Sequence, residues 1–106
     1  MNGKWRRYEI LLPQRFNDGG AVPKAWLGEA QNEVVNQFGA ASYESHRVEG
    51  HWRFRGTEYR DILARLIVEV PDTRRNRQWL KKFQVKWKKR LKQIELRMIS
   101  YRINLE

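Results

Sequence analysis

Two histidines, an aspartate in a glycine-rich turn and a dense run of cations are the side chains of this 106-residue chain that could do chemistry. His46 and His51 could share a metal ion, but they lie five apart, and on a straight strand that spacing points them to opposite faces. A bulge at Gly50 would be needed to bring them together. Asp18 sits in Asn17-Asp18-Gly19-Gly20, after an apolar segment, where some nucleases place a carboxylate; an Asn-Asp-Gly-Gly run is first of all a turn. No Ser-His-Asp set, phosphate-cradling glycine loop or metal-ligand motif accompanies them. The chain has no cysteine, so disulfides and thiolate metal sites are excluded. The sequence thus offers no catalytic residue, no metal ligand and no cofactor site.

The cations are the stronger signal. Residues 73–97, TRRNRQWLKKFQVKWKKRLKQIELR, hold eleven of the 22 Lys and Arg but one acid, Glu95. The other residues hold eleven bases and eleven acids, so this segment carries the whole net charge of +10. Charge so segregated belongs to one surface, and the chemistry it suits is contact with a polyanion through phosphate groups and counterion release. Arg75, Lys82, Lys86, Lys89 and Arg90 are the candidate phosphate contacts. Trp79 lies off the apolar stripe, flanked on the helical wheel by Arg75, Lys82, Lys86 and Arg90; it would stack on a base or pack against the end of a sheet. Arg74, Arg75 and Arg77 oppose the helix dipole, and Glu-to-Lys pairs are almost lacking, which sets the segment apart from an ordinary solvated face. A membrane-surface helix would need the apolar stripe for lipid, whereas here the stripe must cover a sheet.

Those cations need a helix to carry them. Leu80, Phe83, Trp87, Leu91 and Ile94 step by three, four, four and three, which predicts one core-facing stripe over about 22 residues, roughly 33 Å long. Asp72 or Thr73 would cap it. Upstream, residues 4–16 alternate, with Tyr8, Ile10 and Leu12 on one side and Arg7, Glu9 and Leu11 on the other, a strand that Pro13 closes. Pro23 opens a helix whose stripe is Leu27, Ala30, Val34 and Phe38, with Gly39 as its C-terminal cap. Residues 41–54 read as a second strand, with Val48 and Trp52 on one face. Arg55-Gly56-Thr57 is a turn. Ile62, Ala64, Leu66, Val68 and Val70 alternate with Asp61, Leu63, Arg65, Ile67 and Glu69 in a third strand. Residues 97–105 form a fourth, with Ile99, Tyr101, Ile103 and Leu105 on one side.

Strand, helix, strand, strand, helix, strand with right-handed crossovers predicts a single α+β domain over residues 1–106. Its form is a ferredoxin-like βαββαβ sandwich, a four-stranded antiparallel sheet with both helices on one face. The size and 41% apolar content suit one core. The open face would carry Arg7, Glu9 and Leu11, then Leu63, Arg65, Ile67 and Glu69, with Met98, Ser100 and Arg102 from the edge. It lacks the central aromatics and the basic-Gly-aromatic motif of RNA-recognition sheets, so Arg and Glu should pair across strands instead. Leu11, Leu63, Ile67 and Met98 on an uncovered face point to a second copy docking sheet to sheet, a homodimer.

No apolar run approaches a membrane span, and the N-terminus lacks the apolar core of a signal peptide, so a cytoplasmic protein is expected. The stretches WRRYEILLPQRFNDGGAVP, VEGHWRFRGTEYRD, LIVEVPDTRRNRQWLKKF and LKQIELRMISYRINL resemble a family of small bacterial proteins of unknown function. The resemblance covers most of the chain and implies a ferredoxin-like fold and a bacterial origin; it brings no activity and no site. The expected role is a non-enzymatic module whose basic helix binds DNA or RNA. The alternatives are an assembly subunit docking an acidic protein through that helix, or an enzyme or ligand-binding barrel between two docked sheets.

Overall fold

The computed structural model describes residues 3–106, except the side chains of residues 45–50, 52 and 59–62. The elements are β1 (Trp5–Pro13), α1 (Lys24–Phe38), β2 (Ser42–Phe54), β3 (Thr57–Pro71), α2 (Arg74–Arg90) and β4 (Met98–Ile103). The strands form one antiparallel sheet in the order β2-β3-β1-β4. Arg55 and Gly56 turn β2 into β3, both with positive φ, as the tight turn of a hairpin requires. Gly39 ends α1 in the left-handed conformation and donates its N–H to the Val35 carbonyl, the reason a glycine stands there.

The register decides the faces. Tyr8 pairs with Val68 and Ile10 with Leu66, and all four are buried. This face receives Ala30 and Val34 of α1 and Leu80, Phe83 and Trp87 of α2, so both helices pack on it around one cluster. The opposite face holds Arg7, Glu9 and Leu11 against Glu69, Ile67 and Arg65. The cross-strand pairing expected there is present. Arg65 reaches Glu44 of β2 at 3.2 Å and Glu9 of β1 at 3.5 Å, and Arg7 lies 3.9 Å from Glu69 of β3.

Three expectations fail in instructive ways. The pairing of β2 with β3 slips between Glu44 and Val48, where β2 advances four residues while β3 goes from Arg65 to Leu63; Gly50 itself pairs regularly with Asp61. The side chains of Val48, Trp52 and His46 lie outside the described residues.

Helix α2 stops at Arg90, so its 17 residues span about 26 Å rather than 33 Å. Leu91 caps it, Lys92 turns away with φ of 54°, and Gln93 is buried with its amide donating to the Leu91 carbonyl. Ile94 therefore does not extend the helical stripe; the buried residue after the helix is Leu96.

Strand β4 is turned over relative to the expectation. Met98 pairs with Ile10 and packs against the core, while Ile99 and Tyr101 pair with Glu9 and Arg7 on the open face. Met98 is thus not part of an uncovered patch. The alternation misleads because the covered face becomes polar at its end. There Arg6 donates to Ser100, and Arg102 reaches Asp72, so Ser100 and Arg102 sit on the helix side despite their polarity.

Candidate nucleic-acid interface

Thr73 caps α2, its hydroxyl accepting the Asn76 N–H at 3.1 Å. That leaves Asp72 for another task. Its carboxylate, 4% exposed, receives Arg6 Nε at 3.1 Å, Arg77 Nη2 at 3.2 Å and Arg102 Nε at 3.2 Å. The Arg6 bond, with those of Arg77 and Arg102, holds the Asp72 carboxyl below its ordinary range, against the opposing effect of burial. The carboxylate also stands beside the positive end of the α2 dipole, where negative charge is favoured. Arg77 is therefore committed to Asp72 and is not a spare cation.

Two of the predicted phosphate contacts are committed as well. Arg90 forms a 2.8 Å ion pair with Glu29 of α1, and its guanidinium lies 4.5 Å from the Trp26 ring centre and 4.6 Å from that of Trp87. The hydrogen bond to Arg90 lowers the Glu29 carboxyl and raises the guanidinium in turn. Lys86 pairs with Glu33 of α1, whose second oxygen accepts Trp87 Nε1–H at 2.8 Å. The basic segment thus does have acidic neighbours, but they come from another helix. Lys86 and Arg90 join α2 to α1, so replacing them with Glu would disturb the packing of the two helices.

Trp79 is committed in the same way. Its ring stacks on Phe83 at 5.6 Å between centres and meets Phe38 edge-on at 5.0 Å. It packs against the core cluster and is only partly exposed. The face stacked on Phe83 is not available to a base.

Lys92 and Arg97 lie beyond the end of α2, and the cations that remain on the helix form a ridge. Arg74, Lys81 and Lys88 recur every seven residues, and Arg75, Lys82 and Lys89 form a second row one residue on; all six are exposed. Within each row the spacing is about 10 Å along the axis, two helical turns. Among the described residues none of the six has an ion-pair partner. Val85 and Gln78 lie between the rows, and Val85 is 56% exposed. Of the five predicted phosphate contacts, Arg75, Lys82 and Lys89 fall on this ridge. Arg74, Lys81 and Lys88 complete it; their heptad spacing was present in the sequence.

Beside the ridge runs a groove between α1 and α2 of about 410 Å3, lined by Glu33, Asn36, Gln37, Trp79, Lys82, Phe83 and Lys86. The other predicted surface, the open sheet face, is less apolar than expected. Ile67 is only 5% exposed within the single chain, and Leu11 and Leu63 are half-buried. Ile99 and Tyr101 are among the exposed large side chains there, and the Tyr101 hydroxyl donates to Glu9 at 2.6 Å. His51 lies 3.8 Å from Glu58. Among the described residues no group of three or more His, Asp or Glu converges as metal ligands would. Among them, too, no helix is long and apolar enough to cross a membrane.

No protein-family model matches the chain, and no curated protein matches it. Solved structures do. A phage S-adenosylmethionine lyase, determined in complex with S-methyl-5'-thioadenosine, superposes with a TM-score of 0.72 at 10% identity, over 99% of this chain and 93% of that one. CutA1 from Oryza sativa superposes with a TM-score of 0.60 at 12% identity, over 98% and 84% of the two chains. At such identity the likeness is one of fold.

Proposed function

We propose that this chain is a cytoplasmic, non-enzymatic module that binds nucleic acid through the outer ridge of α2. The observation that carries the reading is six exposed cations in two heptad rows without a carboxylate partner among the described residues. Lys and Arg at such spacing neutralise phosphates and release counterions, giving affinity with little base readout. The strand order and the likeness to CutA1 support a ferredoxin-like sandwich as the scaffold, in keeping with the small bacterial family whose sequences it resembles. Neither lyase chemistry nor a thionucleoside ligand is carried over from the phage enzyme, because the shared 10% identity assigns no residue.

The test is a salt titration on duplex DNA. Four to six neutralised phosphates give a log–log slope of about −4 to −5. Arg75→Glu, Lys82→Glu and Lys89→Glu together should abolish binding while the fold persists, because all three are exposed and none has an ion-pair partner among the described residues. Absence of binding to DNA and RNA at low salt sinks the reading. Binding to an acidic protein instead would turn the ridge into an assembly surface.

A second copy docking on the open sheet face is a separate proposal, supported by exposed Ile99 and Tyr101 beside half-buried Leu11 and Leu63. Sedimentation showing only monomer at high concentration would remove it. The same result would remove the ligand-binding barrel between two sheets.

A further inference from the structure

The groove between α1 and α2 differs from the ridge beside it in one chemical respect. The ridge has a single carboxamide, Gln78, between its cations, whereas the groove brings two together, Asn36 and Gln37, whose side chains have no hydrogen-bond partner among the described residues. Each carboxamide offers two donors and an acceptor. Its volume of about 410 Å3 is within the range of small-ligand sites. The partly exposed Trp79 ring, stacked on buried Phe83, is the aromatic surface on the α2 side. Lys82 belongs to both the groove and the ridge, so whatever occupies the groove is within reach of the phosphate-binding rows.

Glu33 settles what the groove's charges leave for a ligand. Its carboxylate lines the groove, with one oxygen on Lys86 and the other on Trp87. Lys86 is thereby taken up, and Lys82, on the ridge side, is the charge left for a phosphate. Toward α1 the groove presents the two carboxamides, which match the hydrogen-bonding edge of a neutral base. The paired chemistry of Asn or Gln is with adenine, by a bidentate contact to its amino group and ring nitrogen. A base inside a duplex is stacked and paired; one in a single strand can be splayed out.

We propose that this groove seats an unstacked adenine of a single-stranded nucleic acid whose flanking phosphates lie along the α2 ridge. This rests on the ridge reading above and adds a base seat to it. The readout is fluorescence anisotropy of the full chain with labelled 12-residue oligo(dA), oligo(A), oligo(dT) and oligo(U), and with a duplex of the same length. Wild type should favour the adenine strands about tenfold, since a good bidentate pair discriminates by roughly 1–3 kcal/mol. Preference for either sugar among the adenine strands would support the seat and identify DNA or RNA as its source. The double variant Asn36→Ala/Gln37→Ala should bind all four strands alike, with duplex affinity and salt slope unchanged. Asn36 and Gln37 are exposed, so the fold should persist, as near-ultraviolet circular dichroism would register. Equal binding of the four strands by wild type, or an adenine preference that survives the double variant, overturns the seat and leaves the ridge reading standing. Failure of every probe to bind overturns both.

Discussion

The two flanks of α2 carry the same residue types and use them for opposite ends. On the flank toward α1, Lys86 and Arg90 meet Glu33 and Glu29, and Arg90 lies against two indole rings. On the outer flank, Arg74, Lys81, Lys88 and their neighbours are exposed and have no ion-pair partner among the described residues. About 100° of helix separates Arg90, paired with Glu29, from Lys89, which has no ion-pair partner among the described residues. A block of positive charge is therefore not a binding site as a whole. Part of it is internal cement, and only the remainder can contribute to affinity and its salt dependence.

The two flanks are held apart by the core stripe between them. Trp87 is fully buried and gives its indole N–H to Glu33. Trp87→Ala should cost about 3–5 kcal/mol in denaturant unfolding, as aromatic truncations in cores do. A midpoint equal to wild type would show that the helix is rotated and the flanks wrongly assigned.

The next test concerns Asp72, which removes Arg77 from the free charge. Its carboxyl is held below its ordinary value in the folded state. A depressed carboxyl contributes stability that is present above its unfolded value, about pH 4, and is lost as pH falls through the lower folded value. Asp72→Asn should therefore be less stable than wild type at pH 7, with the gap closing below about pH 4. A gap that persists unchanged at pH 2 would mean that Asp72 acts through something other than its charge.

The smallest effect is also the sharpest contrast. Arg90→Ala should lower the denaturation midpoint, through its lost ion pair and ring contacts, and change nucleic-acid affinity little. Lys89→Ala, one residue away, should do the reverse, with no change of midpoint and a salt slope shallower by about one. If the two variants behave alike, the division of the helix into flanks fails.

Much of this arrangement was legible in the sequence. The alternation of Tyr8-Ile10-Leu12 and of Leu66-Val68-Val70 identifies the covered face, because period two is unambiguous where one face is buried. The stripe Leu80-Phe83-Trp87 orients α2 correctly, which is why Arg75, Lys82 and Lys89 were found as exposed cations. Strand β4 was not legible, since its covered side ends in Ser100 and Arg102 and its open side carries Ile99 and Tyr101, inverting the usual polarity. The end of α2 was hidden because Lys92 takes a left-handed conformation without glycine or proline to announce it. The pairs to Glu29 and Glu33 were invisible for a different reason. They join residues more than fifty apart, and whether they meet depends on how two helices are rotated against each other, which no periodicity within either helix encodes.

Strand β1 is central, and its neighbours are residues 57–71 and 98–103. Its apolar residues have no partner strand in the first half of the chain. The two-residue hairpin of β2 and β3 can close locally within microseconds, whereas β1 must wait for loops of many tens of residues to close on both of its edges. Loop closure predicts an order of assembly that runs against the order of the sequence, with the earliest strand among the last to be seated. Arg6, at its start, bonds to Asp72 and Ser100, which both come from later in the chain. Truncating Ile10 should thus speed unfolding far more than it slows folding, and a stopped-flow chevron with the opposite asymmetry would place β1 in the nucleus.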